Sequence, residues 1–213
     1  MAPSDAMAPA QFVRWAQAVD RKLQGLSEDL DAGRRAQIAS RWAFLDALPA
    51  AQAQSLRPRL WTDQLGGLPA LRRLADPLAR LCLLPRGEIL NRLCALALGR
   101  RPGVLRCCVD REVRAPLQRA LGDLFAPLVA LSRHGRPVDA DAAVRAPVDW
   151  ACIGFLDWSQ ALTDEDRVVR ELVRLSLPQA VLDDLSDPAS AQAEHPVAHA
   201  LAAFAEAGVV WPC

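Results

Sequence analysis

The 213-residue chain has no tyrosine, and its 25 basic side chains include a single lysine, Lys22. It also has no excess of charge, because 25 acidic side chains balance the basic ones. Nucleic-acid-binding domains usually carry a basic excess, and disordered chains combine high net charge with few apolar residues. With 52% apolar residues and a net charge of zero, the chain fits neither class. We therefore expect one folded domain with a substantial core and no nucleic-acid partner.

Residues that favour β-strands are also scarce. Val, Ile and Thr together number 21, whereas alanine numbers 39 and leucine 33. Ala and Leu lose little freedom on entering a helix, and β-branched residues are the usual strand formers. The composition therefore predicts an all-α fold, a single compact domain of about eight to ten helices spanning residues 1–213.

Motifs that carry chemistry are missing as well. The chain has no glycine-rich phosphate loop and no C-x-x-C pair, and its six cysteines are expected to be reduced, largely buried thiols. His195 and His199 have the i,i+4 spacing of two metal ligands on one helix face, but no third ligand is evident. The sequence predicts no catalytic residue, no cofactor, no metal site and no enzymatic activity. A small helical enzyme or metal protein that uses His195, His199 or a cysteine remains an alternative.

Long apolar runs are absent too. The longest stretch without Asp, Glu, Lys or Arg is His195–Ala205, far shorter than a membrane span. The N-terminus lacks the basic and apolar regions of a secretory signal. We expect a protein that stays in the cytoplasm without inserting into a membrane.

The apolar pattern divides the domain into four parts. N-terminal helices are predicted over residues 1–66, central core helices over 69–134, a linker over 135–147 and C-terminal helices over 148–213. The segment Ile89–Leu98 is apolar at eight of its ten positions and is predicted to be the central helix. We expect Gly25 to end the first helix, Asp110 and Thr163 to begin later helices, and a last helix over Pro196–Ala207.

The zero net charge conceals an uneven distribution. Residues 57–119 carry 13 basic and 5 acidic side chains, whereas residues 120–213 carry 6 basic and 14 acidic ones. Two explanations are open: the two parts pack on each other with complementary rims, or they present faces of opposite sign to different partners. Trp150, Trp158 and Trp211 have polar neighbours, so we expect them to be partly exposed, either at the edge of the core or at an interface.

The centre of the chain carries the run LCLLPRGEILNR at residues 81–92 and the run LRCCVDREVR at residues 105–114. Together they resemble the central region of the SctK (YscK/PscK) family of type III secretion sorting-platform proteins, over roughly residues 60–180. The resemblance implies an all-helical, non-enzymatic cytosolic adaptor. Such an adaptor lies between the cytosolic domain of the inner-membrane ring protein SctD and the pod protein SctQ, at the cytosolic face of the inner membrane.

Five residues are candidates for partner binding: Glu88, Arg92, Arg111, Trp150 and Trp158. Glu88 and Arg92 match the family pattern, as does Gly87, which we expect to be structural. Whether Glu88 and Arg92 contact a partner or only shape the start of their helix is open at this point. An alternative function within the same system is that of a helical regulator or chaperone.

Overall fold

The computed structural model describes residues 9–108, 110–135, 144–185, 193–206 and 211. Its regular structure over those residues is entirely helical, which confirms the all-α prediction. Nine α-helices in the described ranges have seven or more residues, within the predicted number, and three are shorter. In chain order the helices are α1 (Pro9–Asp29), α2 (Ala32–Arg41), α3 (Ala50–Leu65), α4 (Pro77–Arg80), α5 (Arg86–Arg100), α6 (Pro102–Cys107), α7 (Arg111–Leu121), α8 (Phe125–Leu131), α9 (Pro147–Gln160), α10 (Arg167–Arg174), α11 (Gln179–Asp184) and α12 (Val197–Glu206).

The first helix is longer than predicted. Gly25 lies inside α1, which continues to Asp29, so the expectation that Gly25 ends the helix is wrong. Leu26 and Leu30 extend the buried apolar stripe beyond the glycine, and their burial outweighs the cost of about 1 kcal/mol for a glycine in a helix. The next helix begins only after Asp31, whose carboxylate accepts a hydrogen bond of 3.1 Å from the Gly33 N–H.

The predicted central helix is confirmed, because Ile89–Leu98 lies within α5 and eight residues of α5 are buried. Its main partner is α9, and the contact between these two helices is the most extensive in the described structure. The helices cross closely at Gly154, where an added Cβ would overlap the backbone carbonyl of Leu93. Helices α5 and α9 therefore form the centre of the core.

The single lysine joins the first helix to the central one. Lys22 is buried, and its ammonium donates to the Asp29 carboxylate at 2.5 Å and to the Leu84 carbonyl at 2.5 Å. The other oxygen of Asp29 accepts from the Arg86 N–H at 2.8 Å. Because Pro85 has no side chain that could cap α5, Asp29 satisfies a free N–H at the start of this helix from a different part of the chain.

Later helix boundaries follow the predicted signals closely. Asp110 caps α7 through the Glu112 N–H at 2.9 Å, and Gly122, with a φ of 52°, separates α7 from α8. The last helix, α12, begins one residue later than predicted and packs Phe204 against Gly99 of α5, and its predicted end at Ala207 lies outside the described residues. Residues 136–143 of the predicted linker lie outside the described residues.

Candidate functional site

Part of the uneven charge is paired within the protein. Four ion pairs among the described residues join the basic middle of the chain to its acidic C-terminal part, and they fall into two groups. One group lies between the 3-10 turn at Leu71–Ala75 and the start of α10, and the other between α5 and α9. The pairs are Arg72–Glu165, Arg73–Asp166, Arg100–Asp157 and Arg101–Asp157.

Asp157 is the centre of the second group. It is 6% exposed, and the equally buried Arg101 donates to its two oxygens at 2.5 and 3.2 Å. Arg100 pairs with the same carboxylate and donates to the His195 carbonyl at 2.7 Å. The Arg100 carbonyl in turn accepts from the Glu194 N–H at 2.9 Å. Asp157 therefore fixes α9 to the end of α5, and Arg100 fixes the segment that leads into α12.

Asp166 is the centre of the first group and is fully buried. Arg73 binds its two oxygens at 2.8 and 2.7 Å. Thr163 donates its backbone N–H at 3.0 Å and its hydroxyl at 2.9 Å, which confirms Thr163 as the start of this helical segment. The hydrogen bond from Arg73, assisted by those from Thr163, lowers the pKa of Asp166 although burial acts in the opposite direction.

The lowered pKa of Asp166 predicts a specific loss of stability in acid. Its folded-state pKa lies below the unfolded value of about 3.9, so its contribution is complete above that value and is lost as the pH falls through the folded pKa. We expect the Arg73→Met variant to be less stable at neutral pH and to lose less further stability below about pH 4 than the wild type. Denaturant unfolding at a series of pH values measures this difference.

The exposed pair of Arg72 and Glu165 supplies the control for this prediction. An exposed ion pair contributes little, so the Arg72→Met variant should keep the wild-type pH profile. If the free energy of unfolding fell equally with pH in the wild type and in Arg73→Met, Asp166 would not be the group that determines the loss of stability in acid.

The structure places the two candidate tryptophans inside the core. Trp150 and Trp158 are both 0% exposed, and the Trp158 indole donates to the Leu78 carbonyl at 3.1 Å. The expectation that they are partly exposed is wrong, and they offer no surface to a partner in this structure. For Trp158, the neighbouring Asp157 was read as a sign of exposure, but Asp157 is itself buried with the arginines. Trp211 is half-buried, as expected.

The other three candidates lie at the surface of α5 and α7. Glu88 is exposed in the first turn of α5, Arg92 is half-buried one turn later, and Arg111 is exposed in the first turn of α7. The side chain of Asn91 donates to the Ala120 carbonyl at 2.7 Å, so the end of α7 meets α5 beside Arg92. Arg111 lies about 13 Å along α7 from that contact, at a rise of about 1.5 Å per residue. The structure therefore keeps Glu88 and Arg92 together and Arg111 apart from them.

Gly87 has open space around it. No atom lies within 4 Å of the position that a Cβ would take, and its φ is not positive. Neither the backbone conformation nor close packing requires a glycine here, so the expected structural role has no basis in its surroundings.

Two sets of charged side chains outside those four ion pairs are exposed at the surface. The basic α7 surface consists of the exposed side chains of Arg111, Arg114 and Arg119, whereas Leu117 and Leu121 of the same helix are buried. The Arg114 guanidinium lies 5.3 Å from the centre of the Phe125 ring, so its position is supported by an aromatic face.

The second exposed set is the acidic α11 end, which consists of Asp183 and Asp184. Gln179 donates to Asp183 at 2.6 Å within the same helix. Half-buried Val181 and Leu182 pack α11 onto the core. Sequence reasoning pointed to the acidic residues between Asp164 and Asp187 as a group that could contact a partner, and it did not distinguish these two aspartates from the others.

The histidines and cysteines are the residues that the sequence offered for catalysis or metal binding. The rings of His195 and His199 lie 4.5 Å apart, and within the described ranges no group of three or more His, Cys, Asp or Glu is placed to hold a metal ion. The five described cysteines are free thiols, as predicted. Burial raises the pKa of Cys82, Cys94 and Cys152 to about 12, so these three are not thiolates at neutral pH.

No helix in the described part of the chain combines the length and apolar character needed to cross a membrane. Comparisons of the chain with protein-family models, with curated proteins and with solved structures each gave no match. The resemblance of residues 81–92 and 105–114 to the SctK family stays a prediction from the sequence.

Proposed function

We propose that the chain is a non-enzymatic cytosolic adaptor of a bacterial type III secretion sorting platform. In this role it bridges an SctD-like inner-membrane ring protein and an SctQ-like pod protein, and it is peripheral to the inner membrane through them. The resemblance at residues 81–92 and 105–114 supports the family. The observation that carries the bridging role is the presence of two exposed surfaces of opposite charge on separate helices.

A bridge needs two surfaces that can be occupied at the same time. The basic α7 surface and the acidic α11 end both belong to helices that pack on α9. The α11 end exposes only acidic charges, and the exposed arginines of α7 outnumber its one exposed acid, Glu112. Such surfaces favour oppositely charged partners and speed their encounter. The two partners would then be held at a fixed spacing by the same central helix.

The internal ion pairs sharpen this assignment. Asp157 and Asp166 are buried and already bound to arginines, so they cannot contribute to a partner contact without unfolding part of the core. The charges that remain for recognition are fewer than the sequence totals suggest. Arg111 and Arg119 on one side, and Asp183 and Asp184 on the other, are the side chains to test.

The experiment uses the full chain co-expressed with the SctD-like cytosolic domain and with the SctQ-like protein of the same bacterium. We expect both to co-purify with the wild type. The double variant Arg111→Glu with Arg119→Glu should weaken one contact about tenfold or more and spare the other. The double variant Asp183→Lys with Asp184→Lys should have the reciprocal effect.

Arg14 and Arg21, which are exposed on α1, provide a matched control. Reversal of both charges should leave both contacts intact. The presence of the gene within a secretion operon would support the proposal independently. A clean deletion strain with intact secretion would refute it, as would a purified chain that retains neither partner.

A further inference from the structure

Helix α2 stands out because it buries so little. None of its ten residues is buried, and only Arg34 and Ile38 are half-buried. A helix at the surface of a globular protein usually buries a continuous apolar stripe. Arg34 donates to Gln179 of α11, and Ile38 packs against the core. Arg41 also donates to Gln64 of α3 at 2.6 Å, but eight of the ten residues of α2 are exposed in the described structure.

A cleft lies beside α2. It has a volume of 160 Å³, and its apolar lining includes Leu30, Ile38, Trp42 and Leu45. An apolar cavity of about 150 Å³ is large enough to bind benzene. One aromatic or branched aliphatic side chain therefore fits this cleft. Phe44, which lies between Trp42 and Leu45 in the chain, is 51% exposed.

The rim of the cleft is predominantly basic. Arg35 and Arg57 line it, together with Ser27 and the acidic Asp46. Arg35 is held by the Glu28 and Leu30 carbonyls at 2.8 and 3.2 Å. The exposed side chain of Arg57 makes no hydrogen bond or ion pair with any described residue. Residues 32–57 as a whole contain four arginines and one acidic residue.

We propose that this α2 cleft docks an acidic amphipathic helix of a partner protein. The helix would insert one apolar side chain between Ile38 and Trp42 and place its carboxylates opposite Arg35 and Arg57. Amphipathic helices bind apolar grooves in this way, and the guanidinium fork matches a carboxylate. The proposal does not depend on the adaptor function, because it concerns a different surface from the basic α7 surface and the acidic α11 end.

The shape of the cleft favours a protein helix over an anionic membrane. A membrane-binding face needs a broad set of exposed apolar side chains beside the basic ones. Four large apolar side chains are exposed in the described residues, and of these Phe44 alone lies in the chain between residues that line the cleft. A concave apolar floor with two arginines at its edge fits a single inserted side chain.

The test uses two synthetic helical peptides of about 15 residues, long enough for some helix in water. They share one stripe of leucine and phenylalanine and carry either glutamate or lysine on the polar face. Fluorescence anisotropy measures the binding of each labelled peptide to the full chain. We expect the glutamate peptide to bind at least about tenfold more tightly than the lysine peptide, with a difference that shrinks as salt screens the charges.

Variants at exposed positions locate the binding site without disturbing the core. Arg57→Glu and Phe44→Ser should each lower the affinity of the chain for the glutamate peptide at least about fivefold. Arg59→Glu and Leu68→Ser are matched controls: Arg59 is an exposed arginine on the same helix, and Leu68 is 55% exposed. Both controls should bind the peptide as the wild type does.

Three results would overturn the proposal. The first is equal binding of the glutamate and lysine peptides. The second is an equal loss of binding in the control variants. The third is a chain that binds neither peptide but binds phosphatidylserine vesicles, with this binding weakened by Arg57→Glu and Phe44→Ser. That result would assign the cleft to a membrane surface.

Discussion

Replacement of Gly154 with alanine is expected to lower the free energy of unfolding by about 3 kcal/mol or more, at the upper end of overpacking effects. The added Cβ would overlap the Leu93 carbonyl, which belongs to the backbone of α5 and cannot turn away as a side chain could. The helices would have to separate at the contact that holds the centre of the core together. Relief of the clash would therefore open packing around the buried Trp150 and Trp158.

Thermal unfolding measures this effect directly. For a chain of this size about 1 kcal/mol corresponds to about 2–4 °C, so the melting temperature should fall by about 6–12 °C. Gly25 in α1 is the matched control, because no atom lies within 4 Å of its Cβ position. Gly25→Ala should raise the stability by about 0.5–1 kcal/mol through helix propensity alone. A Gly154→Ala variant with the wild-type melting temperature would show that α5 and α9 do not approach this closely.

The features of the fold that were predictable are those encoded locally. Abundant Ala and Leu indicated helices, and an apolar run on all sides indicated the central helix. Asp110 marked a helix start because its carboxylate accepts from a nearby N–H, and Thr163 marked another, where its N–H and hydroxyl donate to the Asp166 carboxylate. Gly25 was misread, since the burial of Leu26 and Leu30 decides whether the helix continues. Which helix crosses α5 depends on packing between residues about sixty positions apart, and no local pattern contains that information.

The candidate surfaces were only partly predictable for the same reason. The sequence left two explanations for the uneven charge, and the structure assigns Asp157 and Asp166 to internal pairs while Asp183 and Asp184 remain exposed. Two signals for Asp157 were present: an acid among the apolar residues in the second half of α9, and the Arg100-Arg101 pair at the end of α5. Their combination requires the two helices to be adjacent, and this was not known from sequence.

This distinction decides which charge reversals report on function. A reversal at Asp166 would place a cation beside Arg73 in a fully buried site, so a lost partner contact would follow from lost structure. A reversal at Asp183 or Asp184 changes an exposed charge and leaves the core intact. Partner contacts are therefore best tested with the exposed acids, and the buried acids are best tested as determinants of stability.

Asp157→Ala is expected to cost about 3–5 kcal/mol, because it leaves the buried Arg101 without its carboxylate. Both Asp157 and Arg101 are 6% exposed, so water cannot replace the lost interaction without opening the end of α5. The same change removes the ion pair of Arg100, which holds the His195 carbonyl, so the segment leading into α12 should loosen as well. Denaturant unfolding measures the first effect, and amide hydrogen exchange in α12 measures the second.

Two further variants distinguish the cost of leaving a buried charge unpaired from the cost of replacing any aspartate. Asp164, an exposed acid 4.0 Å from Arg170, should tolerate Asp164→Ala without a measurable change in melting temperature. The double variant Asp157→Leu with Arg101→Met removes both buried charges and should recover most of the lost stability, since an apolar replacement of a buried pair is often neutral. If the double variant is no more stable than Asp157→Ala, then the cost comes from lost packing around Asp157 or from the unpaired Arg100, and not from the unpaired Arg101.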